Sequence, residues 1–345
     1  MNARVTEGRT EELVRLLSAR QRLLVLTHTN PDPDAMGSAM GLRHLAERQL
    51  GMPSSFGLVG RVMRAENRAM VRCLGIDLTP VDELDLDAFD CLALVDTQPG
   101  FGHTSLPSGR PIDLVLDHHV PPEPAPDVRV AYQDVRPQVG ATSSLVTSYL
   151  MELGISPTAD VATGLFYGIR TDTADLSRNT SPIDLDCYEF LIDKVDRQKL
   201  AEITTPPLPL PYFQALRDAL TNIRIFDQVV LCSLGKLSSP EMVAEVADLL
   251  VRLEGRQTVY CGGLVDGTYY VSVRDEQRVR DAWYLIRDAL GGEGSFGGHG
   301  SVAGGSIVLS DASPRAVKRL ERRLERNILK SMGVEGATVS GLVES

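Results

Sequence analysis

The chain has 345 residues, 43% of them hydrophobic and 23% charged, with a formal net charge of −11. This is the balance of a globular protein rather than a disordered one, and the length implies two domains. The acidity argues against a general affinity for long duplex nucleic acid, which depends on Lys and Arg neutralising phosphates, but leaves room for a short anionic substrate whose charge bound cations offset.

Met1 to Arg20 is polar and lacks the apolar run of a secretory signal, and no stretch of about 18 apolar residues occurs, so the cytoplasm is the expected compartment and no membrane partner is expected. The five cysteines (Cys73, Cys91, Cys187, Cys232, Cys261) form no C-x-x-C pair; they fit a reducing compartment and read mostly as small core residues. A first helix is expected over Thr10 to Ser18, then a buried strand at Leu23 to Leu26. The loop His28 to Asp34 leads into a helix over Ser38 to Leu50. Buried strands follow at Cys91 to Val95, ending at Asp96, and at Ile112 to Leu116, ending at Asp117. Helical periodicity returns over Ser143 to Leu153 and Thr158 to Ile169. This alternation predicts an α/β fold, a doubly wound and mainly parallel sheet, with ligands bound beyond the carboxyl ends of its strands.

Thr204 to Pro211 holds four prolines in eight residues and reads as a semi-rigid linker. The expected organisation is a catalytic domain over 1–203, a connecting segment over 204–221, and a smaller α/β substrate-binding domain over 222–345, with the active site in the cleft between the domains. In the second domain a strand is expected at Val229 to Ser233, a helix near Pro240 to Leu253, a hairpin turning at Asp266-Gly267, and a helix over Trp283 to Leu290. The glycine-rich stretch Gly291 to Gly305 comes next. The last helix, Arg315 to Lys330, places Val317, Leu320, Leu324 and Ile328 on an inward stripe and leaves a basic face solvated. The alternative for that face is a basic rim guiding oligonucleotide ends.

The chemistry-bearing residues cluster at the strand ends. In His28-Thr-Asn-Pro-Asp32-Pro-Asp34, the prolines stiffen a loop whose imidazole and carboxylates suit Mn²⁺, Mg²⁺ or Fe²⁺. The plainer reading is a polar loop in which Asp34 caps the following helix. Asp96 alone reads as a turn residue. Asp117-His118-His119 offers two imidazoles that project differently, one toward metal and one toward substrate. Asp172, after a helical apolar stretch, is either a ligand or a cap. In Ser295-Phe-Gly-Gly298-His299-Gly300, glycines let backbone N–H groups approach an anion, with a flexible connector as the alternative. His44 and His103 stand outside these motifs and read as a helix-surface and a loop residue. Carboxylates gathered in one crevice raise one another's pKa, and divalent cations relieve that cost.

These motifs resemble the DHH phosphoesterase family, named for the triplet at Asp117 to His119. His28-Thr-Asn-Pro-Asp32-Pro-Asp34 is similar to its first motif, Leu-Val-Asp96 to its second, and Gly-Ile-Arg-Thr-Asp172-Thr to its fourth. The second domain resembles the DHH-associated substrate-binding domain through Gly297-Gly298-His299-Gly300 and Ser272-Val-Arg274. Together they point to the oligoribonuclease and phosphoadenosine-phosphate phosphatase branch, the NrnA type. Departures are Ala174 and Leu176, where the fourth motif more often has glycine and an aromatic, and Asp275, where serine is usual after the arginine.

The resemblance implies two divalent ions, Mn²⁺ foremost. One would be held by His28, Asp32 and Asp96, the other by Asp34, Asp96, His118 and Asp172. His119 would contact the scissile phosphate and Asp117 would orient the histidines. Arg274, Gly298, His299 and Gly300 would bind the substrate. The implied reaction is hydrolysis of short oligonucleotides to mononucleotides, and of 3′-phosphoadenosine 5′-phosphate. Rival readings are a cyclic or linear dinucleotide phosphodiesterase, a pyrophosphatase, a RecJ-like exonuclease, or a non-catalytic nucleotide-binding module. Homodimerisation is left open.

Overall fold

The computed structural model describes residues 7–102, 104, 110–276 and 280–342, apart from the side chains of Glu7 and His299. The chain divides into two units, Met1–Pro207 and Leu208–Ser345.

The first unit holds six strands: β1 (Leu23–Leu26), β2 (Ser54–Leu58), β3 (Leu78–Pro80), β4 (Cys91–Val95), β5 (Ile112–Asp117) and β6 (Val130–Val135). Its helices are α1 (Glu7–Ser18), α2 (Pro33–Leu50), α3 (Ala65–Leu74), α4 (Thr142–Glu152), α5 (Ala159–Asp172), α6 (Pro182–Ile192) and α7 (Arg197–Thr204). All six strands are parallel, in the order β3-β2-β1-β4-β5-β6. The central strands are buried on both faces, so their sequences read as unbroken apolar runs. Leu23, Val25, Ala93 and Val95 face the core beneath the helices, while Leu24, Leu26, Leu92 and Leu94 pack on the other face with Phe89. The helix α2 starts five residues earlier than its pattern suggests, because Asp32 accepts the Ala35 N–H as N-cap and Pro33 fits the first turn.

The second unit contains α8 (Leu210–Thr221), β7 (Arg224–Phe226), β8 (Val229–Lys236), α9 (Glu241–Leu250), β9 (Thr258–Val265), β10 (Thr268–Asp275), α10 (Ala282–Leu290), β11 (Ser295–His299), β12 (Val302–Val308), α11 (Pro314–Met332) and β13 (Val339–Ser340). Its sheet runs β11-β12-β10-β9-β8-β7-β13, antiparallel except between β8 and β9. One face packs with Met242, Val243 and Val246 of α9, the other with Leu285 and Ile286 of α10 and the stripe Leu320, Leu324 and Ile328 of α11. Asp266 and Gly267 both take positive φ, 45° and 81°, as a two-residue hairpin turn requires.

Two local expectations change. The proline-rich stretch is extended only as far as Pro209; Leu210 begins a helix whose first turn accommodates Pro211. The glycine-rich stretch is not a loose connector: from Ser295 onward it forms the β11–β12 hairpin.

Candidate metal centre

The strand order of the first unit reverses between β1 and β4, and at such a point a crevice opens beyond the carboxyl ends of the strands. His28 follows β1, Asp96 follows β4, and Asp117 closes β5 ahead of His118 and His119. Asp34 lies in the first turn of α2 and Asp172 ends α5. Glycines bring these two helices close. A Cβ on Gly37 would lie 2.5 Å from the Gly164 carbonyl oxygen, and one on Gly168 would lie 2.4 Å from Ser143 Oγ and 3.0 Å from Asp34 Cα.

Three sets of potential ligand atoms result, each with its atoms within 4.8 Å of one another: His28, Asp32 and Asp96; Asp34, His118 and Asp172; and Asp96, His118 and His119. His28 Nε2 lies 3.8 Å from Asp32 Oδ1 and 3.5 Å from Asp96 Oδ2. His118 Nε2 lies 3.9 Å from Asp34 Oδ2, 3.6 Å from Asp96 Oδ1 and 3.2 Å from Asp172 Oδ2. Asp96 thus presents one oxygen to each imidazole.

The surroundings fix these groups. His28 Nδ1 is 3.0 Å from the Thr29 carbonyl oxygen and His118 Nδ1 is 3.3 Å from that of Val139. A carbonyl only accepts, so each Nδ1 carries a hydrogen and each Nε2 is the atom that faces the carboxylates, able to offer a lone pair to a metal once it loses its proton. His118 Nε2 is buried and has no hydrogen-bond partner among the described residues. Asp34 accepts the backbone N–H groups of Thr142 (2.7 Å) and Ser143 (2.8 Å) at the N-terminus of α4, and the Thr142 hydroxyl donates to Asp96 at 2.9 Å. Asp96 has φ 58°, a strained conformation that aims its side chain into the crevice. Asp117 accepts from His119 Nδ1 and from the His118 backbone N–H, both at 2.8 Å, and from Gln98 Nε2 at 2.7 Å.

The charge state records crowding. Burial works against charge on His28 and His118, but the facing carboxylates outweigh it and lift both well above the usual imidazole range. Burial, then Asp96 and Asp172, push Asp34 well above the usual carboxylate range, and Asp172 is raised chiefly by burial. Asp117 moves the other way: burial raises it, but the hydrogen bond and charge of His119, the Gln98 hydrogen bond and the charge of His118 together outweigh that burial. Burial likewise opposes charge on His119, and the Asp117 hydrogen bond with the charges of Asp96 and Asp117 together overcome it, raising the imidazole. A buried orphan nitrogen facing three carboxylates fits a divalent cation held by imidazole and oxygen donors.

The structure therefore brings together His28, Asp32, Asp34, Asp96, Asp117, His118, His119 and Asp172. Asp34 does not cap its own helix; Asp32 does, and Asp34 serves α4. Asp117 orients the ring of His119, while Val139 holds the ring of His118. Thr142 and Ser143 at the start of α4, and Gln98 in the loop after β4, escaped sequence reasoning, since lone hydroxyl and amide side chains in such places carry no distinctive signal. His44 is buried rather than on the surface, its Nε2 3.2 Å from the Ser156 carbonyl oxygen. His103 lies outside the described residues.

In the second unit, Arg274 is buried, ion-paired with Asp248, and donates to Ser272 Oγ at 2.8 Å. Gly298 has φ 141° and no room for a Cβ beside Ala303, and the Gly300 N–H donates to Asp281 at 2.8 Å. The backbone of His299 pairs with Val302; its side chain lies outside the described residues.

Residues 22–169 match the model of the DHH family, N-terminal domain. An uncharacterized protein of Methanocaldococcus jannaschii is 36% identical over 320 residues, covering 91% of this chain and 64% of its own length, so the chain spans a little under two thirds of that relative. A bifunctional oligoribonuclease and PAP phosphatase NrnA of Thermus thermophilus is 28% identical, covering 65% of this chain and 67% of its own. Among solved structures, an exopolyphosphatase-related protein from Bacteroides fragilis shares the fold with TM-score 0.74 at 16% identity, covering 94% of this chain and 97% of that one. RecJ from Thermus thermophilus in complex with Mn²⁺ has TM-score 0.55 at 13% identity, covering 96% of this chain and 55% of that one.

Proposed function

We propose, from the match of residues 22–169 to the DHH family, that the chain is a two-metal phosphoesterase that hydrolyses short oligonucleotides to mononucleotides. The observation that carries this reading is the buried His118 Nε2, without a hydrogen-bond partner among the described residues, facing oxygens of Asp34, Asp96 and Asp172, with Asp96 reaching His28 on its other side. The NrnA-named relative supports the oligonucleotide substrate and the Mn²⁺ complex of RecJ supports the choice of ion.

His28, Asp32 and Asp96 would hold one cation, and Asp34, Asp96, His118 and Asp172 the other. When bound, such ions supply positive charge to phosphoryl oxygens and lower the pKa of water. The chain's own residues do the rest. The α4 N-terminus and Thr142 keep Asp34 and Asp96 from turning away from the crevice. Asp117 fixes the His119 ring and favours its protonated form, so that Nε2–H can donate to a phosphoryl oxygen as negative charge grows there. Arg274, Gly298, His299 and Gly300 are the proposed contacts to the substrate's phosphate and terminal nucleotide. The protein would act in the cytoplasm, on short strands or nucleotides.

The test is a substrate panel with Mn²⁺ and Mg²⁺: inorganic pyrophosphate, 3′-phosphoadenosine 5′-phosphate, linear and cyclic dinucleotides, and strands of increasing length. Fastest turnover of the shortest linear strands is expected. Fastest turnover of pyrophosphate, or of none of these, would overturn the proposal.

A further inference from the structure

We propose that the groove along α11 is a binding site for a single-stranded nucleic acid backbone, separate from the catalytic residues. Against the net charge of −11, this one helix carries seven basic residues and only two acidic ones. Arg315, Arg319, Arg322 and Arg326 recur at helical spacing, so they share a face and span roughly 16 Å along the axis. All four are exposed, and none forms an ion pair among the described residues, whereas Arg323 is held by Glu293. They line a groove of about 820 Å³ whose opposite wall includes Ile307, Val308 and Leu309.

Val308 is 80% exposed, an uncommon position for a branched apolar side chain on a strand. An arginine wall facing an apolar wall suits a strand that lays phosphates on one side and bases on the other. A duplex keeps its bases paired and cannot lay them on the apolar wall, and the chain's overall negative charge repels what extends beyond the groove. A bilayer is disfavoured because the apolar stripe of α11, Leu320, Leu324 and Ile328, is buried in its own unit and unavailable for insertion. Asp311 and Glu293, the acidic residues of the groove, limit where phosphates can sit.

The inference deepens the oligonucleotide reading without depending on catalysis. The experiment measures anisotropy of a labelled single-stranded RNA of about twelve nucleotides on the full chain, in EDTA so that neither metal binding nor hydrolysis contributes. Wild type should bind with a log–log salt slope of about −3, from roughly −0.7 for each of four neutralised phosphates. The triple variant Arg319→Gln, Arg322→Gln, Arg326→Gln should bind at least about tenfold more weakly with a slope near −0.7. With Mn²⁺ it should still cleave dinucleotides at the wild-type rate. Absence of RNA binding by wild type, an unchanged slope in the variant, equal affinity for duplex, or equal dependence of phosphatidylserine vesicle binding on these arginines would each overturn the proposal. Failure of dinucleotide cleavage by wild type would sink the catalytic reading and leave this one standing.

Discussion

Gly168→Ala should weaken metal binding without touching a ligand. A methyl group there meets Ser143 Oγ at 2.4 Å, and Asp34 Cα and Oδ1 at 3.0 Å each. The Ser143 hydroxyl, which now donates to the Asp34 carbonyl at 3.3 Å, must rotate away, and α5 must move from α2 by a few tenths of an ångström. Overpacking of this kind costs about 1–3 kcal/mol, against about 1 kcal/mol gained from replacing glycine inside a helix. The net destabilisation is then at most about 2 kcal/mol, or a few degrees in Tm. Asp172 lies one turn further along α5, so the same shift separates it from Asp34 and His118. Mn²⁺ affinity by calorimetry should fall about tenfold, the equivalent of about 1.4 kcal/mol. Adding Ser143→Ala removes the closest clash and should restore part of that loss. A single variant with wild-type affinity, or a double variant weaker than the single, would refute the reasoning.

Asp96→Asn keeps a residue tolerant of φ 58° while removing the charge that faces both histidines. Turnover should fall by at least about 10³-fold with circular dichroism and Tm nearly unchanged. Asp117→Asn should slow turnover about 10–100-fold, because His119 loses the carboxylate that raises its pKa. Mn²⁺ affinity should stay the same in that variant, because Val139 rather than Asp117 holds the His118 ring; a parallel loss of metal would contradict the assignment. Metal binding should strengthen as pH rises. In the metal-free protein His28, His118, Asp34 and Asp172 keep their protons to higher pH than usual, and each must lose its proton before a cation enters. Calorimetry in buffers of different ionisation enthalpy should show protons released on binding; affinity independent of pH across the neutral range would exclude this linkage.

The strands that position the site were legible because parallel strands buried on both faces leave unbroken apolar runs, and each run ended at a polar motif. Leu23–Leu26 and Cys91–Val95 are read to the residue. The flanking strands were not. The β2 strand carries Gly57 and two half-buried serines, β3 has three residues, and β6 buries only Tyr132 and the charged Asp134. His44 was misplaced because α2 is buried around most of its circumference, which erases the one-sided pattern that separates core from surface. The ligand-bearing residues were readable, but what holds them was not: the α4 N-terminus beneath Asp34 and the Val139 carbonyl behind His118 are backbone groups, present whatever the local sequence.

Diffraction from crystals soaked in Mn²⁺, recorded at the manganese edge, tests the central claim most directly. Two anomalous peaks are expected in the first unit, both touching Asp96, one also reaching His28 and Asp32, the other Asp34, His118 and Asp172. A single peak, or peaks that leave Asp96 untouched, would contradict the account.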